Sequence, residues 1–239
     1  MRICKNPDCI NHQNSVDTSV VREAVFGMED GMVSTFGVVT GIAASTSDPY
    51  TVILAGCVII AVESISMGVG SYLSSKSQRE MDERKLAEEQ FEIQEYPHEE
   101  KKELLEMYIK EGWPKKLASE MAQVASKNKK LFLKEASIQE LKLVPGHFES
   151  PVKNAVAMLF AYIVGGMIPL LPYLLLPITF AIPISIFATL IGLFFLGVGT
   201  TRYSKRTWWK AGFEMLILAA LAGAIGYFVG QFVEKFFTI

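Results

Sequence analysis

Residues 52–94 read VILAGCVIIAVESISMGVGSYLSSKSQREMDERKLAEEQFEIQ, a stretch that begins as membrane-grade sequence and ends as a charged helix with no breaker after Gly70. At a rise of about 1.5 Å per residue, the roughly 23 residues from Val52 to Ser74 already cover a hydrocarbon core of about 30 Å, so the remainder projects into water. One helix therefore serves two compartments. The rest of the chain is read as what packs around it.

Hydrophobic residues make up 50% of the 239, and mean hydropathy is positive, which is too apolar for an ordinary soluble domain of this size and points to several spans. A net charge of −2 gives no reason to expect nucleic acid as a partner. Charges concentrate between Gln78 and Lys153, while 151–201 contains only Lys153, the pattern of one soluble insert in a membrane protein. Three cysteines make no disulfide framework. Residues 1–19 have no apolar h-region, so no cleaved signal peptide is expected. This cytosolic tail carries Cys4, Cys9 and His12, spaced C-x4-C-x2-H without a fourth ligand. It reads either as a reduced, flexible tail or as a metal site shared between subunits.

Val20–Ser45 has the length of a span but poor hydrophobicity. A central Asp costs about 2.5 to 3.5 kcal/mol to insert, against about 0.3 to 0.6 returned by each large apolar residue, so Asp30 keeps this helix away from lipid. Gly27, Gly31, Gly37 and Gly41 offer a small-residue surface, expected to pack against the second span. A Ser-Asp-Pro-Tyr turn, 47–50, makes the two spans an antiparallel hairpin. Counting along it puts Asp30 about 15 Å deep, Met67 about 12 Å and Glu63 about 18 Å, so all three fall near one level. Glu63 and Met67, at i and i+4, share a helix face. Intramembrane carboxylates are rare and mark ion or proton paths, whereas a lone Met is more often core filler.

Between Gln78 and Leu143 four helical stretches are expected. The stalk runs to Gln94 and ends before Tyr96-Pro97. The others are His98–Glu111 with stripe Leu104, Leu105, Tyr108 and Ile109; Pro114–Ser126 with Leu117, Met121 and Val124; and Lys129–Leu143 with Phe132, Ile138 and Leu141. Glu89 and Glu92, like Glu100 and Glu103, are spaced i, i+3 and put two carboxylates on one face. Such oxygens hold divalent cations, but glutamates beside lysines also make an ordinary solvated face.

Val152–Leu171 is a third span, 172–177 a turn, Ile178–Thr201 a fourth span kinked near Pro183, and Phe213–Phe232 a fifth with Gly223, Gly226 and Gly230 as a packing edge. Trp208 and Trp209 are interfacial anchors. The N-terminal tail to Arg22 carries three basic residues and the 202–210 loop four, against none in the two opposite loops and one in the C-terminal tail. The positive-inside rule then puts the N-terminus and insert in the cytosol and the C-terminus outside or in a lumen. The fold class is all-α: a polytopic membrane protein of five transmembrane helices with a cytosolic helical insert between spans 2 and 3. Its parts are a tail (1–19), a hairpin of spans 1 and 2 (20–77), the insert with the extension of span 2 (78–150), and spans 3 to 5 (151–239). Five helices are few to enclose a pathway, so a homodimer with the polar first helix at its centre is expected.

Val21-Arg22-Glu23, Glu29-Asp30-Gly31 with Val33-Ser34, Ile65-Ser66-Met67-Gly68 running into Gly70–Ser74, and Gln78-Arg79-Glu80 together resemble the paired signatures of the vacuolar iron transporter family. Ile163–Gly166 with Pro169–Tyr173 resembles its third span. The resemblance covers nearly everything from Val20 onward and implies a dimer of five-span subunits that moves Fe2+, and often Mn2+, out of the cytosol in exchange for protons. It implies no prosthetic group, the metal being cargo. By resemblance, Asp30 and Met67 are intramembrane metal ligands; Glu63, level with them, and Glu23 are placed with them in the transport pathway. Glu89, Glu92, Glu100, Glu103 and Glu140 correspond to the family's cytosolic metal-binding glutamates. A Met-Glu pair expected before Glu140 is replaced by Ala136-Ser137, where Glu135 is the available substitute. The membrane would be the plasma membrane in a prokaryote and the vacuole in a eukaryote.

A competing reading makes the insert a cytosolic metal sensor or docking platform and the spans its anchor. An intramembrane enzyme has little support: there is no nucleophile and base pair, no HExxH, and none of the three histidines lies in a span.

Overall fold

A computed structural model of the chain describes residues 17–45, 48–146, 148–204 and 206–217, with Ala220. The described residues are helical throughout, without strands: α1 (Thr18–Ser45), α2 (Pro49–Glu95), α3 (Pro97–Lys110), α4 (Lys115–Ala125), α5 (Lys129–Ala136), a π-helical turn (Ser137–Leu141), α6 (Pro151–Leu175) and α7 (Ile178–Ser204). Residues 208–217 are also helical. Two compact units divide the chain, Met1–Tyr72 with Val152–Ile239 in one and Leu73–Pro151 in the other. Among the described residues, α2, α6 and α7 are long and apolar enough to cross a membrane. The 28 residues of α1 have the length but include Arg22, Glu23, Glu29 and Asp30.

In the first unit α1 runs parallel to α6. Ser19 Oγ donates to Asn154 Oδ1 at 2.9 Å. Further along, a Cβ at Gly27 would meet the Met158 carbonyl at 2.7 Å, and one at Gly166 would meet Thr35 Oγ1 at 2.8 Å. The approach is closest at Gly31, where a Cβ would fall within bonding reach of the Tyr162 carbonyl. Gly27 and Gly31 therefore face the third span, not the second as the sequence led us to expect, while Gly37 and Gly41 have nothing within 4 Å. The reason is reciprocal small residues: Gly165 and Gly166 on α6 meet Met28, Thr35 and Ile60, and only backbones stripped on both sides approach this closely. Against this pair α2 runs antiparallel, with Gly56 against Val39 and Leu170 and Gly68 against Leu159. The expected turn over 172–177 is shorter, because α6 continues through Pro169 and Pro172 to Leu175. Ser185 Oγ of α7 donates to the Pro169 carbonyl at 2.8 Å, tying α7 to α6.

The second unit packs around Ile93, Leu104, Tyr108, Ala118, Ala122, Ala125, Phe132 and Ala136. Here the stripe expected on α4 is rotated. Its buried face is Ala118, Ala122 and Ala125, and Leu117 and Val124 are exposed, because three alanines let α4 sit close against its neighbours. Asn128 caps α5, its side-chain oxygen accepting from the amides of Lys130 and Leu131 at 3.0 and 3.2 Å. The expected helix to Leu143 changes character after Ala136. The π-helical turn follows, and Lys142 closes it in the left-handed region at φ 56°.

Candidate metal site

α2 and α3 present their carboxylates from the apolar side. Glu89 lies one turn before Ile93, and Glu100 one turn before Leu104 and two before Tyr108; Ile93, Leu104 and Tyr108 are all core residues. Spacing of four puts each glutamate on its helix's buried stripe, so Glu89 is only 2% exposed and Glu100 8%. The corner at Tyr96, where α2 ends and Pro97 opens α3, folds the two stripes together. The π-helical turn supplies the third member. Its extra residue swings Glu140 in, and ligand oxygens of Glu89, Glu100 and Glu140 all lie within 4.8 Å of one another. Such turns recur at functional sites because they re-aim one side chain without ending the helix.

Carboxylates this close disfavour one another's ionised form unless a cation lies between them. Burial pushes the Glu89 carboxyl up to about 8, aided by the charge of Glu140 and a hydrogen bond with it, and by the charges of Glu100 and Glu92. Burial likewise raises Glu100 to about 7, with Glu103, Glu92, Glu140 and Glu99 adding to it. Glu92 and Glu103 thus flank the cluster electrostatically. Glu89 Oε1 is buried with no hydrogen-bond partner, an acceptor turned into the cluster with nothing to accept from. Oxygen-only donors with this charge suit a hard or borderline divalent cation. Glu135 is placed elsewhere: it accepts a hydrogen bond from the Tyr108 hydroxyl at 3.0 Å.

The membrane-type unit holds the other predicted residues. Asp30 accepts from Ser34 Oγ at 3.2 Å, and both Asp30 and Glu63 act electrostatically on the buried Tyr162 of α6. Met67 follows Glu63 by one turn of α2, half-buried and next to Gly68, which packs on Leu159. Glu23 accepts from Ser71 Oγ at 2.7 Å and pairs with Arg22 at 3.2 Å. Sequence reasoning missed Tyr162, Ser34 and Thr35. Ser34 carried a signal, being one turn from Asp30; Tyr162 carried none beyond a hydroxyl within an apolar span. Cys4, Cys9 and His12, with Gly223, Gly226 and Gly230 of the fifth span, lie outside the described residues.

Such a fold and site define a class, a helical membrane protein with a carboxylate cluster of divalent-cation size. Residues 21–231 match the model of the VIT family, and the chain belongs to that family. Vacuolar iron transporter 1 of Arabidopsis thaliana is 29% identical over 216 residues, covering 90% of this chain and 86% of its own. The vacuolar iron transporter of Toxoplasma gondii is 28% identical over 234 residues, covering 94% and 77%. Vacuolar iron transporter 2 of Oryza sativa is 29% identical over 217 residues, covering 90% and 88%. These relatives bear the names of transporters and not of enzymes.

Proposed function

We propose that this chain is a proton-coupled divalent metal transporter that exports Fe2+, with Mn2+ as a second cargo, from the cytosol. The observation that carries the reading is the triad of Glu89, Glu100 and Glu140, its oxygens within 4.8 Å of one another and two of its three members buried. The names of the relatives supply iron as the cargo. In this reading Glu92 and Glu103 widen the cytosolic collecting site, and Glu135, held by Tyr108, is a reserve ligand. Metal then passes by Glu23 to Asp30 and Met67, while protons return through Asp30 or Glu63. Carboxylates exchange a borderline cation for protons, and a thioether disfavours Mg2+ and Ca2+. Five spans, a homodimer in the bilayer, a cytosolic N-terminus and insert, and a C-terminus outside or in a lumen complete the proposal.

Purified protein in liposomes is expected to move Fe2+ only when a pH gradient is imposed. Wild-type rates in Asp30→Asn would sink the intramembrane mechanism. Fe2+ binding without any flux would leave the anchored sensor as the better reading.

A further inference from the structure

Two hydroxyls beside the intramembrane carboxylates are buried without a well-formed hydrogen bond. Tyr162 of α6 and Thr35 of α1 are both 0% exposed; Tyr162 Oη lies within reach of the Thr35 and Ser34 hydroxyls, yet neither Tyr162 Oη nor Thr35 Oγ1 meets a partner in good hydrogen-bond geometry. They are neighbours at the α1–α6 crossing, where Gly31 packs on the Tyr162 backbone and Gly166 on Thr35 Oγ1. Ser34 stands beside Tyr162, and Asp30 and Glu63 are both within electrostatic reach of it. Ser34 itself is committed to Asp30. Buried polar groups are almost always satisfied, and a water is credible where two to four polar partners converge. Here the hydroxyls of Tyr162, Thr35 and Ser34 meet, with Asp30 and Glu63 in electrostatic reach. The contrast is Tyr173, also unpartnered but set in an apolar cluster with Val39, Ala43 and Val52.

We propose that Tyr162 and Thr35 are outer-sphere ligands of the cargo: their hydroxyls hold one water of the hydrated divalent cation as it rests at Asp30 and Glu63. This rests on the intramembrane part of the proposed pathway and adds residues to it. The arrangement lets a cation cross the station without shedding its whole hydration shell.

The test uses Tyr162→Phe, Thr35→Val and the double variant in the full-length protein, with Thr35→Ser as the hydroxyl-retaining control. Each single variant is expected to raise the KM for Fe2+ flux in liposomes about tenfold, and Thr35→Ser to stay near wild type. Because both hydroxyls hold the same water, the double variant is expected to lose little more than either single one. Thermal unfolding of the metal-free protein separates this from a structural role. Removing an unpartnered hydroxyl should leave the midpoint unchanged or raise it, whereas a structural role lowers it. A wild-type KM in both single variants, strictly additive losses, or a lowered metal-free midpoint each overturns the proposal. Should Asp30→Asn transport normally, the underlying pathway fails instead, so the two failures are told apart.

Discussion

At Glu89 and Glu100 the folded chain holds protons that the unfolded chain, with glutamates near 4.5, would release. Raised to about 8 and about 7, these carboxyls contribute stability that is fully present below about pH 4.5 and is lost as pH rises through 7 to 8. Thermal unfolding of the metal-free protein should therefore show a midpoint that falls between about pH 4.5 and 8 and levels off above it, and Glu89→Gln should flatten that fall. Divalent metal reverses the sign, because it replaces the protons. Apparent affinity for Mn2+ should weaken as pH drops from about 8 to 6, and calorimetry in buffers of different ionisation enthalpy should count the protons expelled. Glu140→Ala, which leaves Glu89 and Glu100 without their third oxygen donor, is expected to cost at least tenfold in affinity, about 1.4 kcal/mol; an unchanged isotherm would return these residues to a solvated face. The i, i+3 pairs were visible in the sequence, but they pointed to faces and not to burial. What marks Glu89 and Glu100 is their place one turn ahead of Ile93 and Leu104, which makes each a charged residue on an apolar stripe.

Helices α1 and α6 meet through glycine, and that contact is testable one methyl group at a time. Gly31→Ala would drive a Cβ into the Tyr162 carbonyl, with the Gly166 amide at 3.0 Å. Neither is a flexible side chain, so the helices must part. Overpacking of this kind costs about 1–3 kcal/mol, and Gly31→Ala should lower the thermal midpoint. Gly41→Ala, which meets nothing within 4 Å, should hold or raise it, since alanine is favoured over glycine in a helix by up to about 1 kcal/mol. Equal losses at both positions would mean that the glycines act through something other than this crossing. Existence and type of the described helices were legible from periodicity and from breakers such as Tyr96-Pro97. The partner of α1 was not, because four-residue glycine spacing announces a close approach without saying to what. On α4 the large residues Leu117 and Val124 outweighed the alanines in the pattern, yet a helix squeezed between neighbours buries the side that is small. Nor does local sequence specify the turn at Ser137–Leu141. It follows from where the triad and Lys142 must go.

Sidedness belongs to the molecule as a whole, and it decides whether the proposed flux is export or import. α1 and α6 run parallel and α2 antiparallel to both, as the pairs Gly27–Met158, Thr35–Gly166 and Gly56–Leu170 require. If α2 crosses the bilayer, the residues joining it to α6 leave and re-enter on one side, and 46–48 and 176–177 lie on the other. In the proposed topology the basic residues of the N-terminal tail and of the 202–210 loop would fall on the first side, and no lysine or arginine falls in the two opposite loops. By the positive-inside rule, that asymmetry in short loops would retain its side in the cytosol. With Cys4, Cys9 and Cys57 replaced by alanine, an impermeant maleimide added outside intact cells should label Leu176→Cys and spare Lys116→Cys, and permeabilisation should expose both. The opposite pattern would turn the insert outward, and a glutamate triad that loads there would feed metal inward. Labelling of both sites before permeabilisation would mean two orientations in one membrane, which a homodimer of parallel subunits does not allow. Only the expected pattern puts the triad where cytosolic metal meets it first, with the pull of returning protons acting from the far side.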